Sequence, residues 1–130
     1  MRTIKRSETP VDPLPGRGIR RFVGRDSALE SEEMTVGTAR YADEFGPMEP
    51  HNHAEETVFI LEAERAWVRW GPSPEALTER IDLEPGVVIK TPAFEWHVFE
   101  WEPGGHIELL FIYGQVDDIR PEDREKEHER

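Results

Sequence analysis

The chain contains, at residues 50–61, the stretch Pro50-His51-Asn52-His53-Ala54-Glu55-Glu56-Thr57-Val58-Phe59-Ile60-Leu61. In an extended strand, side chains two positions apart point to the same face, so His51 and His53 can aim at one point. A carboxylate beside paired imidazoles suits a divalent transition metal. The spacing therefore predicts a metal site. The alternative is that both histidines are solvated loop residues beside acidic side chains.

A second histidine element lies downstream, in Pro85-Gly86-Val87-Val88-Ile89-Lys90-Thr91-Pro92-Ala93-Phe94-Glu95-Trp96-His97. The Pro-Gly turn leads into a short apolar strand, Pro92 ends that strand, and His97 opens the next one. A third histidine in this position favours the metal site over the solvated pair.

Together these two elements resemble the motifs of the cupin superfamily, roughly G-x5-H-x-H-x3/4-E-x6-G and G-x5-P-x-G-x2-H-x3-N. Gly86, Pro92 and His97 fall in step with the second motif, and His51, His53 and a glutamate match the first. The resemblance covers about residues 34–115. It implies an all-β, cupin-type double-stranded β-helix, a jelly-roll β-sandwich or barrel, with a metal held inside by three histidines and one glutamate.

The glutamate of the first motif has two candidates. His53 and Glu56 are separated by only two residues, where the family has three or four. Counted back from Ala63, which takes the position of the family's glycine, the six-residue register favours Glu56. Glu55 instead shares the parity of the histidines. We expect Glu56 to be the ligand and keep Glu55 in reserve.

The ligand set that the resemblance implies is therefore His51, His53, Glu56 and His97. Four ligands on an octahedral metal leave two positions for water or substrate, and Fe, Mn, Ni, Co and Zn are all compatible with three nitrogens and one oxygen. The family includes dioxygenases, decarboxylases, isomerases and lyases, and we expect a metal-dependent enzyme for a small-molecule substrate, with a dioxygenase-like reaction favoured. The alternative is a non-catalytic metal- or small-molecule-binding cupin, such as a sensor or a sugar-binding module. A metal-free scaffold would make the histidine spacing a coincidence.

Four further residues are candidates for the wall of a substrate pocket: Trp67, Trp101, Arg40 and Arg69. Because an unpaired charge inside a barrel is costly, the two arginines are expected to point outward. An inward arginine would pair with a substrate carboxylate. Phe94 replaces a glycine of the second motif, so we expect its turn not to demand a positive φ.

Composition bounds the remaining possibilities. The 130 residues suffice for one domain, there are no cysteines, and no apolar run approaches the roughly 20 residues of a membrane span. No apolar signal segment begins the chain, so we expect a cytoplasmic protein. The net charge is −12, with +5 over residues 1–25, −3 over residues 117–130 and −14 between them. This acidic body argues against nucleic acid and membrane partners and favours a neutral or singly charged substrate.

Short strands with turn signals between them predict an all-β sandwich or barrel. Residues 57–61 are an apolar run that suits a strand buried on both faces, and with residues 66–70 they predict a hairpin. Residues 1–18 are expected to be an irregular arm, residues 19–116 the barrel, and residues 117–130 a charged tail that includes His128. We expect a homodimer, because exposed edge strands need cover, with the basic arm reaching across to the partner.

Overall fold

Two long strands organise the structure, a computed structural model that describes residues 1–120 and 123. The strands are β1 (Asp12–Leu14), β2 (Arg17–Gly24), β3 (Leu29–Glu30), β4 (Thr35–Ala42), β5 (Glu56–Gly71), β6 (Glu79–Asp82), β7 (Val88–Thr91) and β8 (Trp96–Tyr113). Single 3-10 turns lie at Arg6–Glu8 and Asp43–Phe45. Within the described residues, the eight strands form one sheet in the order β1-β2-β4-β8-β5-β6, with β3 beside β2 and β7 beside β5.

Strands β5 and β8 pair antiparallel along almost their whole length, from Glu56 opposite Tyr113 to Gly71 opposite Trp96. The first part of β5 also pairs with β7, and its last part pairs with β6. The second half of β8 pairs with β4 as well. Each long strand therefore holds together two parts of the sheet.

The predicted hairpin between residues 57–61 and 66–70 is wrong, because both segments belong to β5. In the same way, Pro103-Gly104-Gly105 is a turn signal in the sequence, but β8 runs through it without a break. Register shifts at Ile60/Glu62 and Glu64/Ala66 mark bulges in the pairing, where Arg65 has φ 50° and Gly104 has φ 82°. The polar residues at these positions suggested a turn. A bulge, however, bends a strand without ending it.

The core forms on one side of the curved sheet. Ile60 and Ile107 are fully buried, and Val58 and Leu109 are 1% exposed. One cluster joins Ile19 of β2 and Ala39 of β4 to these residues, so the sheet wraps around a single interior. Residues 57–61 are not buried on both faces as predicted: Phe59 alternates with Val58 and Ile60 and is 42% exposed.

The chain ends also differ from the prediction. The expected irregular arm contains β1, and the boundary at residue 18 falls inside β2. Pro13 is accommodated because β1 is an edge strand, where a missing N–H breaks no ladder. In the expected charged tail, Ile119 is 6% exposed and packs into the core cluster. Residues 121, 122 and 124–130, with His128, lie outside the described residues.

These features confirm the all-β, single-domain jelly-roll fold that the sequence predicted. Among the described residues, no helix has the length and apolar character needed to cross a membrane.

Candidate metal centre

The backbone fixes the three histidines relative to one another. His51 and His97 exchange both backbone hydrogen bonds: the His51 N–H donates to the His97 carbonyl at 3.0 Å, and the His97 N–H donates to the His51 carbonyl at 2.9 Å. The Phe94 N–H donates to the His53 carbonyl at 2.8 Å. The loop of the first histidine pair is thus tied to the loop and strand that carry the third histidine.

The imidazoles converge as the sequence predicts. One nitrogen from each of His51, His53 and His97 lies within 4.8 Å of the other two. Ring centroids are 4.4 Å apart for His51 and His97, 4.7 Å for His53 and His97, and 5.4 Å for the first pair. Three nitrogen donors at this spacing can hold one metal ion.

Each ring is oriented by a hydrogen bond to a backbone carbonyl. Nδ1 of His51 lies 3.0 Å from the Glu49 oxygen, Nδ1 of His53 lies 2.7 Å from the Ala54 oxygen, and Nδ1 of His97 lies 2.9 Å from the Glu95 oxygen. A carbonyl only accepts, so each Nδ1 carries the proton and donates it. Each Nε2 is then left as the unprotonated nitrogen, which is the arrangement that metal-binding histidines use.

His97 provides a test of whether a metal fits. Its Nε2 is buried and has no hydrogen-bond partner within the part of the chain that the structure describes. Leaving a buried polar atom unsatisfied is costly, so such an atom needs an explanation. A lone pair directed into a cluster of three imidazoles fits a metal ligand, and the residues present therefore fit the predicted ion.

Of the two candidate glutamates, only Glu56 faces the cluster. It begins β5, is 6% exposed, and places Oε1 3.6 Å from Nε2 of His53. It lies opposite Tyr113, whose hydroxyl donates a hydrogen bond to its carboxylate. Glu55 is exposed and places Oε2 3.3 Å from Lys90 Nζ. The group of ligand atoms that lie within 4.8 Å of one another contains the three histidine nitrogens and no oxygen of Glu56. Ligation by Glu56 therefore stays a prediction.

Burial dominates the electrostatics of the site. It lowers the pKa of His51 to about 3, with the neighbouring His97 acting in the same direction. It also lowers the pKa of His97, against the hydrogen bond to Glu95. Burial raises the pKa of Glu56 to about 7, although the Tyr113 hydrogen bond opposes this. The pKa of Tyr113 is raised by burial and then by the Glu56 charge. The metal-free site therefore favours neutral side chains.

The cavity at the histidines has a volume of about 30 Å3, with aromatic walls that include Tyr41 and Phe111. Two arginines also line it, Arg17 and Arg120, and sequence reasoning missed both. A signal for Arg17 existed: it precedes the core residue Ile19 by two positions in β2, so strand parity places both on one face. For Arg120, the neighbouring Ile119 was the only apolar residue in a run of charges.

The four predicted pocket residues do not line this cavity. Arg69 is hydrogen-bonded through Nε and Nη2 to Glu100, and Arg40 lies within 3.6–3.9 Å of three glutamates. Trp67 and Trp101 instead border a separate cleft of about 330 Å3. The parity of β5 explains Trp67 and Arg69, because they alternate with Val68, whose side chain enters the core.

Phe94 corrects another expectation. Its φ is 67°, so the turn does use the left-handed region that the family's glycine takes freely. The Phe94 side chain is 56% exposed, while the Asn52 side chain donates to its carbonyl at 3.3 Å. Together with the bond to His53, this contact holds the strained turn that positions His97.

No protein-family model and no curated protein matches the chain. Among solved structures, the polyketide cyclase RemF from Streptomyces resistomycificus matches with a TM-score of 0.71 and 17% identity, over 100% of this chain and 94% of that one. A protein from Planctomyces limnophilus matches with a TM-score of 0.69 and 17% identity, over 95% of this chain and 94% of that one. The oxalate decarboxylase of Lactobacillus farciminis matches with a TM-score of 0.66 and 10% identity, over 87% of this chain and 33% of that one. Identities this low show the fold alone. These neighbours are cupin-fold proteins, and the chain has the fold of the cupin superfamily.

Proposed function

We propose that the chain is a metal-dependent enzyme for a small-molecule substrate. In this proposal His51, His53 and His97 bind one divalent transition metal through Nε2, and Glu56 provides the fourth ligand. The observation that carries the proposal is the buried Nε2 of His97, which has no hydrogen-bond partner among residues 1–120 and 123 and belongs to a three-histidine cluster. A bound divalent metal would supply a Lewis acid that polarises an oxygen of the substrate.

The protein's own groups prepare the site for that chemistry. The carbonyls of Glu49, Ala54 and Glu95 hold the Nδ1 protons and so keep the three Nε2 atoms available as ligands. The hydroxyl of Tyr113 donates to Glu56 and orients its carboxylate. Tyr41, Phe99 and Phe111 line the cavity, and apolar surroundings of this kind strengthen the electrostatic interactions inside it.

We favour turnover over a sugar-binding module because of the size of the cavity. Its volume, about 30 Å3, is only two to three times the ~10–15 Å3 that a cavity needs to hold one water molecule. A sugar ring needs several times this space. A small substrate that approaches the histidines suits the cavity better.

Among reaction classes, a dioxygenase-like oxidation is the first that we propose to test. Oxygen consumption is followed after adding Fe(II) and a panel of diols, thiols and β-keto compounds. A non-oxidative reaction is the second, since the solved neighbours include proteins named as a cyclase and a decarboxylase. Product formation without oxygen consumption would favour the second class over the first.

The metal site is tested by elemental analysis of purified protein. We expect about one divalent transition metal per chain, lost in His51→Ala, His53→Ala and His97→Ala with the β-rich circular dichroism largely retained. His106→Ala is the matched control, because that histidine lies outside the cluster, 3.7 Å from Glu62 and 3.9 Å from Glu64. Unchanged metal content in the three cluster variants would refute the site.

Glu56→Gln separates two roles for this carboxyl. Loss of metal would support ligation. Retained metal with lost turnover would assign Glu56 to proton transfer instead, a role that suits a carboxyl with a pKa of about 7.

A further inference from the structure

We propose that the cleft bordered by Trp67 and Trp101 binds a small organic cation, such as a methylated ammonium group, against the indole of Trp101 and the carboxylate of Asp43. The cleft is separate from the histidine cavity, because none of the three cluster histidines lines it, although Phe99 is part of both linings. The inference therefore goes beyond the proposed function and does not rest on the proposed metal.

The first support is the size and chemistry of the cleft. Its volume of about 330 Å3 falls in the range of small-molecule sites, roughly 300–1,000 Å3. Among the described residues, those that line it include no lysine, arginine or histidine. A cation with an apolar surface matches walls that combine aromatic and thioether side chains with two carboxylates: Met48, Trp67, Phe99, Trp101, Asp43 and Glu100.

The second support is the way in which the two indoles are held. Nε1 of Trp101 donates to Oδ1 of Asp43 at 2.8 Å, and Nε1 of Trp67 donates to Oε1 of Glu100 at 2.8 Å. Because both N–H groups are already bonded, the rings offer a ligand their π systems, and tryptophan attracts cations more strongly than the other aromatic side chains. Trp67 already uses this property, since the guanidinium carbon of Arg80 lies 4.2 Å from its ring centroid. In the described part of the chain, no cation covers the ring of Trp101 in this way.

The third support is the charge of Asp43. Its oxygens accept from neutral donors, Oδ1 from the Trp101 indole and Oδ2 from the Gly104 N–H at 2.7 Å, so neither bond neutralises the carboxylate. The Gly104 bond and then the Trp101 bond lower the pKa of Asp43, so this exposed side chain is ionised at neutral pH. Arg65 acts on it more weakly, and its Nη1 instead donates to the Pro103 carbonyl at 3.0 Å.

The other carboxylate of the cleft is a poorer partner for a cationic ligand. Glu100 accepts from Arg69 through Nε at 2.6 Å and through Nη2 at 2.9 Å, so its charge is already compensated. Asp43 and the ring bonded to it, Trp101, are therefore the pair that we assign to the ligand. The net charge of the chain, −12, also favours a cation during approach.

Tetramethylammonium is a suitable probe, because it combines one positive charge with a surface made only of methyl groups. Its matched neutral counterpart is tert-butanol, which has nearly the same shape and size. Sodium chloride at the same concentration controls for ionic strength.

The experiment follows the indole N–H signals of the full chain by nuclear magnetic resonance, with Zn(II) added because this ion has no unpaired electrons. Replacing each tryptophan by Phe assigns the signals. We expect tetramethylammonium to shift the signals of Trp67 and Trp101 in a saturable titration, and to leave those of Trp70 and Trp96 in place, since these two lie outside the lining of the cleft. The dissociation constant for tert-butanol should be higher by at least about 5-fold, as for loss of a cation–π contact, and sodium chloride should not reproduce the shifts.

The variants test the two assigned residues, with the Trp67 signal as the readout. In Trp101→Leu, the dissociation constant for tetramethylammonium should rise about 5-fold to 30-fold, because the aromatic face is lost. Trp101→Phe keeps an aromatic face and should lie between Trp101→Leu and the wild type. Asp43→Asn removes the charge at nearly the same size and should weaken binding about 2-fold to 5-fold, as for one exposed ion pair. Glu32→Gln is the matched control for net charge, because Glu32 is exposed, lies outside the cleft and pairs with Arg25 at 2.7 Å; it should leave binding unchanged.

Equal affinity in the wild type and a folded Trp101→Leu variant would overturn the role of Trp101. Binding of tert-butanol as tight as that of tetramethylammonium would overturn the preference for a cation. Equal shifts of all the indole signals would indicate attraction to the acidic surface as a whole and would overturn the cleft. The last two results come from the wild type, so they decide the matter even where Trp101→Leu does not fold. A wild type that binds no Zn(II) would count against the proposed function and would leave this titration unchanged, because the cleft contains none of the proposed metal ligands.

Discussion

Replacing Glu56 by Gln should stabilise the metal-free protein at alkaline pH, although it removes a proposed metal ligand. The reason is the cost of holding a carboxylate inside the barrel. Burial raises the pKa of Glu56 from the ordinary 4.5 to about 7. Between these two values the folded protein binds this proton and the unfolded chain does not, so stability falls as the pH rises through that window.

The size of the effect follows from the pKa difference. At about 1.4 kcal/mol for each unit of pKa, the difference between 4.5 and about 7 corresponds to about 3 kcal/mol of stability that is lost above pH 7. Glutamine is neutral at every pH, has nearly the same size, and can still accept the Tyr113 hydrogen bond. Glu56→Gln should therefore be more stable than the wild type by up to about 3 kcal/mol at pH 8, and by little at pH 4.5.

The assay is urea denaturation in the presence of a chelator, at pH 8 and at pH 5. His51 and His97 also titrate on unfolding, but they do so in both proteins and cancel in the difference. A stability difference that does not depend on pH would refute the reasoning. With metal present the order should reverse, because the wild type gains binding energy that the variant lacks.

Three further predictions rest on the structure, and a fourth is the homodimer expected from the sequence. Metal affinity should fall as the pH drops below about 7, because Glu56 then takes up a proton. His51, with a pKa of about 3, takes up a proton only at much lower pH. Metal occupancy measured from pH 8 to 5 checks this, and Glu56→Gln should flatten the profile. Phe94→Gly should raise the free energy of unfolding by up to about 1 kcal/mol, measured in urea, because glycine relieves the left-handed strain at φ 67°. Glu100→Gln should cost at most about 1 kcal/mol at pH 7 and nothing at low pH, since hydrogen bonding to Arg69 lowers the pKa of a carboxylate that is only partly buried; stability at both pH values checks this. A homodimer stays our prediction, and light scattering of the full-length chain should give twice the monomer mass.

The sequence was sufficient for the fold and for the histidine cluster because both depend on local patterns. Two features of the sequence are short-range: the spacing of His51 and His53, and the turn and proline before His97. The local conformation of a strand or a loop is enough to fix the positions of these side chains. The choice of Glu56 over Glu55 used register in the same way, counted from Ala63. The structure places Glu56 inside and Glu55 outside because β5 alternates from Glu56 onward.

What the sequence could not predict depends on how distant segments meet. The polar residues near Arg65 look like a turn, but the long partner β8 keeps pairing across them, and a bulge absorbs the irregularity. Ile119 looked like one apolar residue in a solvated tail, and only the folded sheet provides the core against which it packs. Phe94 takes a glycine conformation because bonds to the histidine loop hold it there, and these bonds do not exist until that loop is in place.

The net charge of the whole protein and the charged groups inside the cavity act on a ligand at different distances. A net charge of −12 argues against multiply charged anions, since the field of the whole protein repels them during approach. Binding is decided at shorter range, because exposed charges farther away than a Debye length of about 8–10 Å are largely screened. The charged side chains that line the histidine cavity are Arg17, Glu56 and Arg120, so the net charge of the chain does not by itself fix the charge of a molecule bound beside them.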